Sequence, residues 1–233
     1  MLRTWTNAAP RCNQVFPGDE FRANLSGVKR RDVCYRLIGA GVFAFVGGWS
    51  IPIARADRLT ADEEKRLSRG EVVKRTFDVE LPRGDYIGGL AYVIISAPPV
   101  DVLTALVEPS SYQHIFTLTQ EARLEAKDGE DLIIYLRQGG KKVSGEYSVR
   151  ARRESQSLVR FWLDPSRPHD IGDLWGFFRM DPYPGGKTLL TYGALLHLEF
   201  GVIKLLFQEK IRTYALETPD RLRIFVENKH AAR

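Results

Sequence analysis

Few side chains in this sequence are spaced for catalysis. The four histidines, His114, His169, His197 and His230, stand far apart. No two have the spacing of a metal-ligand pair and no HExxH segment occurs, so neither a metal centre nor a cofactor is expected. What remains are single polar groups inside apolar strands. His197, in Leu195-Leu196-His197-Leu198-Glu199, could act as a general acid or base or hold a ligand. The alternative is a satisfied or outward-facing strand histidine. The phenols of Tyr135, Tyr192 and Tyr214 could orient a polar ligand end, or pack in the core with their hydroxyls at its rim. Arg160 could pair with an acidic head or stabilise an enolate. Alternation puts it with Leu158 and Trp162, so it could equally lie across an outer face. Arg150, Arg152 and Arg153 read as a solvated strand end, with transient contact to anionic lipid headgroups as the functional alternative.

The elements that must position these groups are legible in part. Thr60-Ala61-Asp62-Glu63 is a capping box, which predicts a short helix ending near Gly70. Glu71–Leu81 and Gly89–Ser96 are strand-like; Leu90–Ile95 is an apolar run bounded by glycine and proline. Pro99 opens a helix through Val107 that Pro109 stops. A run of strands follows. In Tyr147–Arg153, Tyr147, Val149 and Ala151 alternate with Ser148, Arg150 and Arg152, so one face is polar. Pro182–Gly186 joins the last two strands as a hairpin. Phe200, Ile203, Phe207, Ile211 and Tyr214 then follow at steps of three and four, one stripe of a long helix. Thr218-Pro219 either caps a second segment or kinks it.

The first 56 residues differ from the rest. They hold 8 basic and 3 acidic residues, whereas residues 57–233 hold 26 of each. The net charge of +5 therefore resides in the leader, and composition gives no support to nucleic-acid binding. Lys29-Arg30-Arg31, the apolar run Leu37–Val46 and Ala54-Arg55-Ala56 form the three parts of a secretory signal peptide. Cleavage is expected after Ala56, with Val28 a candidate start. The general secretory route is expected over the twin-arginine route, because Lys29 and Val33 depart from the twin-arginine pattern. The alternative is a membrane anchor, since the 18 residues Leu37–Ala54 carry no charge and approach bilayer-spanning length. Cleavage would remove both cysteines, Cys12 and Cys34. The expected organisation is a leader over 1–56, a short helix within 57–70, one domain over 71–228 and a frayed tail over 229–233.

A strand, short helices, an antiparallel meander and a long terminal helix make an α+β architecture. Tyr92-Val93-Ile94-Ile95-Ser96-Ala97-Pro98-Pro99, with the helix through Glu108 and then Tyr112, resembles the first strand, corner and first helix of the START-like superfamily. Pro184-Gly185-Gly186-Lys187-Thr188-Leu189-Leu190-Thr191-Tyr192 is similar to its last hairpin. This superfamily has the helix-grip fold and includes polyketide cyclases, coenzyme Q-binding proteins and lipid-transfer domains. The resemblance implies a curved sheet wrapped around the C-terminal helix, with a cavity between them. Phe200, Ile203, Phe207, Ile211 and Tyr214 from the helix, with Trp162, Phe178 and Tyr192 from the sheet, would line that cavity; His197, Tyr135 and Arg160 are its candidate polar groups. The implied function is an exported, periplasmic or secreted bacterial carrier of a hydrophobic small molecule or lipid. Two alternatives are a cyclase or dehydratase that uses the polar groups, and an envelope interaction module whose cavity is filled by its own side chains.

Overall fold

The computed structural model describes residues 58–140, 144–199 and 201–232, and of 201–207 the backbone alone. The leader, its cleavage site at Ala56 and the side chains of Phe200, Ile203 and Phe207 lie outside the described residues.

Helix α1 (Ala61–Ser68) precedes strands β1 (Val73–Leu81) and β2 (Gly84–Ile95), which form a hairpin through Pro82-Arg83. Helices α2 (Pro99–Val107) and α3 (Tyr112–Ile115) carry the chain across to β3 (Thr119–Asp128) at the opposite edge. Strands β4 (Asp131–Gly139), β5 (Ser144–Arg153), β6 (Leu158–Leu163), β7 (Asp173–Tyr183) and β8 (Lys187–His197) return in a meander, and helix α4 (Gly201–Ala231) closes the fold. The sheet order is β1-β2-β8-β7-β6-β5-β4-β3, with every pair antiparallel. The edge strand β3 carries two register shifts, between Thr119 and Glu121 and between Leu124 and Ala126.

Strand β2 is pressed from both sides. A Cβ on Gly88 would come 2.0 Å from the Ala194 carbonyl oxygen, and one on Gly89 would come 2.2 Å from the Arg75 oxygen. Only glycine fits at both positions. The corner after β2 is held by the buried Thr188 hydroxyl, which donates to the Ala97 carbonyl at 2.7 Å. Pro99 stands at the first turn of α2, where its missing N–H costs nothing.

The two faces of the sheet differ. The inner face carries the main core. Val93, Ile95, Phe161, Phe178, Tyr192 and their neighbours pack under Val102 and Leu106 of α2, Tyr112 and Ile115 of α3, and Leu216, Leu222 and Val226 of α4. The outer face is apolar at one end, where Tyr92, Leu90 and Phe177 meet Leu67 of α1, and Tyr86, Trp175 and Leu195 meet Phe77 and Trp162. At the other end it is ionic: the buried carboxylates of Asp131 and Asp164 are held by Arg150, Arg152 and Arg167. Two of the three arginines proposed for headgroup contact thus already have carboxylate partners.

Helix α4 runs unbroken through Pro219 to Ala231. Neither a second cap at Thr218 nor an end near Asn228 is observed. Residues 229–231 are not a frayed tail: Lys229 pairs with Glu108 at 3.1 Å and His230 with Asp101 at 2.7 Å. The Ser96 N–H donates to Glu227 at 2.7 Å, so the helix end is fixed to the corner after β2.

Helix α1 is too short to persist alone, and its one buried side chain is Leu67, worth about 2 kcal/mol. Its capping box does a second job. Glu63 accepts the Thr60 N–H at 2.8 Å and also takes Arg75 of β1, at 2.7 Å from Nε and 2.5 Å from Nη2. The Arg75 guanidinium lies 5.1 Å from the Tyr92 ring centre. Arg75 is the main reason the Glu63 carboxyl is drawn down to about 2, with Thr60 adding to it against the effect of burial. A carboxyl with a depressed folded pKa contributes its full stability above its unfolded value of about 4.5 and loses it as pH falls toward 2. Glu63→Gln is expected to cost about 1–2 kcal/mol at neutral pH and to flatten the acid limb of stability between those values, as read by urea unfolding across pH. Gly88→Ala is expected to cost about 3 kcal/mol or more, lowering the urea midpoint with an unchanged slope.

Candidate functional site

The inner face of the sheet is apolar from β2 to β4; on β1 its positions are Lys74, Thr76, Asp78 and Glu80, and Asp78 pairs with Arg212 of α4. At its centre lies an aromatic nest: Phe178 is 4.8 Å from Tyr192 and 5.4 Å from Phe161, centre to centre, with Phe116 at 6.4 Å. Among the described residues the buried charged side chains are Asp131, Asp164 and Asp173, and all three lie on the outer face with arginine partners. At the end of the sheet that runs into α4, Leu174, Leu196 and Leu198 are only partly buried against it. Leu124, paired with Ile134 on the edge strand, is 41% exposed.

Polar groups do enter this interior. The Tyr147 hydroxyl donates to Gln138 Oε1, and Gln138 Nε2 donates to Thr119 Oγ1 at 2.8 Å. The Tyr192 phenol lies beside the side chain of Thr218 on α4. Burial pushes both phenols above their ordinary range; Tyr192 adds to the effect on Tyr147, and Thr218 opposes it slightly at Tyr192. Both therefore remain protonated at neutral pH. On α4, the Glu217 carboxylate accepts from the Thr117 hydroxyl at 3.5 Å. Pro219 follows directly and lacks the N–H that would bond the Ala215 carbonyl, so the helix is one hydrogen bond short beside this group.

Of the residues expected in the cavity, Phe178 and Tyr192 lie on the inner face. Ile211 and Tyr214 are half-buried on α4, on the stripe that continues to Thr218 and Leu222. Trp162 lies on the outer face with Trp175 and Leu195, because Val159, Phe161 and Leu163 take the inner positions of β6. Arg160 shares the outer face and pairs with Glu154 at 3.2 Å. Tyr135 is also outside, with the Arg123 guanidinium 3.8 Å from its ring centre.

His197 is outside as well. Its ring lies 5.3 Å from Tyr86, and its Nδ1 is 3.0 Å from the Asp85 carbonyl. It fits between Gly84 and Gly172, where added Cβ atoms would come within 2.5 and 2.3 Å of the ring. Tyr86 in turn donates to the buried Asp173 at 2.6 Å. None of these groups can reach the interior.

Tyr147, Gln138 and Thr218 were not singled out from the sequence. Tyr147 had a signal, since it leads the apolar phase of the β5 alternation. Thr218 had one too, standing four residues beyond Tyr214 on the helical stripe. Gln138 had none.

Among the described residues no group of three or more metal-ligating side chains occurs, and no helix is long and apolar enough to cross a membrane. No protein-family model and no curated protein matches the sequence. Solved structures do match. The STAR-related lipid transfer protein (fragment 25–204) from Xanthomonas axonopodis aligns with a TM-score of 0.56 at 14% identity, over 66% of this chain and 93% of that one. The protein TTHA0849 from Thermus thermophilus aligns with a TM-score of 0.52 at 16% identity, over 61% of this chain and 96% of that one. At such identities the likeness is one of fold, and it agrees with the sheet order and terminal helix described above: the chain has the helix-grip fold.

Proposed function

We propose that this protein is an exported carrier that holds a hydrophobic small molecule or lipid between the inner face of its sheet and helix α4. The observation that carries the reading is the continuous apolar cluster on the inner face, whose Leu174, Leu196 and Leu198 are still partly uncovered at its α4 end. Apolar lining with a few convergent polar groups is the usual make-up of a small-molecule pocket. One structural neighbour is named a lipid transfer protein, in keeping with this reading. Export rests on the leader, whose basic, apolar and small-residue segments are those of a signal peptide.

A cyclase-type enzyme is the second reading, favoured by the presence of Tyr147, Gln138 and Tyr192 inside the core. Phenols held protonated can donate to a developing enolate but cannot take a proton at neutral pH. The histidine that could do so, His197, faces the other way. Carriage is therefore preferred.

Native mass spectrometry of the protein purified from its own cell envelope tests both parts of the proposal. The expected result is a mature chain beginning at Asp57 and a discrete lipophile that organic extraction removes. An unprocessed chain confined to the cytosol would overturn export. A processed chain that carries nothing, and that turns over a polyketide-like substrate, would move the assignment to the enzyme.

A further inference from the structure

We propose that, while the leader is attached, its last apolar residues, Trp49–Ala54, lie across the apolar end of the outer sheet face and cover it. The inference concerns the face opposite the interior and does not depend on what the interior carries.

An antiparallel sheet with one wet face alternates apolar and polar residues. This sheet departs from that pattern at one end of its outer face. Phe77 and Val79 of β1, Tyr86 of β2, Leu195 of β8, Trp175 of β7 and Trp162 of β6 join in one apolar cluster over five neighbouring strands. Helix α1 is not part of it: Leu67 belongs to the adjoining cluster of Tyr92, Leu90 and Phe177. The cluster is nevertheless closed off, with Tyr86 2%, Leu195 1% and Trp175 9% exposed. Side chains lying in a single layer on a sheet keep their upper surface open. Burial this deep takes a further layer above the strands, and no described helix contributes to the cluster.

The chain enters the domain at this place. The Arg58 carbonyl accepts from Arg75 of β1 at 2.8 Å. Leu59 packs on the α1 cluster, and Phe77 lies against both clusters. The compact unit that holds the sheet starts upstream, at Val46. From there Val46-Gly47-Gly48-Trp49-Ser50-Ile51-Pro52-Ile53-Ala54 runs without a charge. Its length suffices. An extended chain from Arg58 back to Trp49 reaches about 30 Å, whereas crossing from β1 to β6 takes about 19 Å. Tethered this closely, the segment acts at an effective concentration on the order of millimolar, which a separate molecule rarely matches. Trp49, Ile51 and Ile53 supply the apolar side chains that such a layer needs. Cleavage after Ala56 strips this cover, so processing lays Trp162 and Trp175 open and leaves the interior untouched.

Hydroxyl-radical footprinting of the full-length, unprocessed chain, read by mass spectrometry, tests the proposal. Trp162 and Trp175 are expected to be protected in the wild type. In the variant Trp49→Ser/Ile51→Ser/Ile53→Ser both are expected to oxidise at least ~3-fold faster, as the indole surface under a lost layer opens. Met180, on the inner face and 0% exposed, reports whether the variant is folded and stays protected if it is. Unchanged oxidation of both tryptophans in a folded variant overturns the proposal. Protection in the wild type that fades on dilution assigns the cover to a second copy and overturns it as well. A photo-cross-linker placed by Ile51→benzoylphenylalanine decides the matter if the triple variant does not fold. Links to Phe77, Val79, Trp162 or Trp175 within one chain are expected, and links confined to other surfaces overturn the assignment. Neither readout involves cargo, so the carrier reading stands or falls separately.

Discussion

The constraint on which this molecule depends is the two-residue period of a β-strand. Successive side chains point to opposite faces, so every strand sorts its residues into an inner and an outer set with no third choice. Here the inner set faces helices α2, α3 and α4, while the outer set is divided between an apolar end under α1 and an ionic end around Asp131 and Asp164. Across the central strands charges occupy the outer phase; on β1 the phases are reversed, and Asp78 meets Arg212 of α4 from the inner side. Arg150 and Arg152 alternate with Val149 and Ala151, so the strand that supplies two arginines to buried carboxylates on one face supplies Tyr147 to the other.

That period also explains which expectations failed. Tyr192 and His197 stand five positions apart on one strand, an odd offset, and so cannot share a face. Alternation alone forbids placing both in the cavity. Strand β6, Leu158–Leu163, misled for a different reason. Both of its phases are apolar apart from Arg160, because the outer face there packs against its own aromatic cluster. Alternation has no vote when both faces are buried, and the wrong phase placed Trp162 and Arg160 inside. Tyr135 failed in the same way, within the continuous run Leu132–Leu136.

Much else was legible because its cause is local. The capping box of α1, the proline corner before α2 and the apolar stripe of α4 are dictated by neighbours in sequence. Tertiary use of those features was not. Nothing in Thr60–Glu63 says that Glu63 will also reach Arg75 twelve residues on. Nothing around Pro219 says that the helix will continue through it. The Lys229 and His230 contacts depend on α2 lying alongside, which only the folded chain supplies. Gln138 belongs to the same class: its role comes from Tyr147 on the next strand and Thr119 on the one before.

The two outer strands of the sheet also bear on how the molecule meets other proteins. A sheet that does not close has two rows of unpaired backbone groups, which can recruit a strand from another chain. Along β3 the two register shifts break that row, and Glu121, Arg123, Glu125 and Lys127 line it with charge. Along β1 the positions between the apolar ones are Lys74, Thr76, Asp78 and Glu80, all exposed. Neither margin offers a flat, uncharged template. Crowded against copies of itself, the protein is protected from growing by strand addition, and any partner must engage it through side chains.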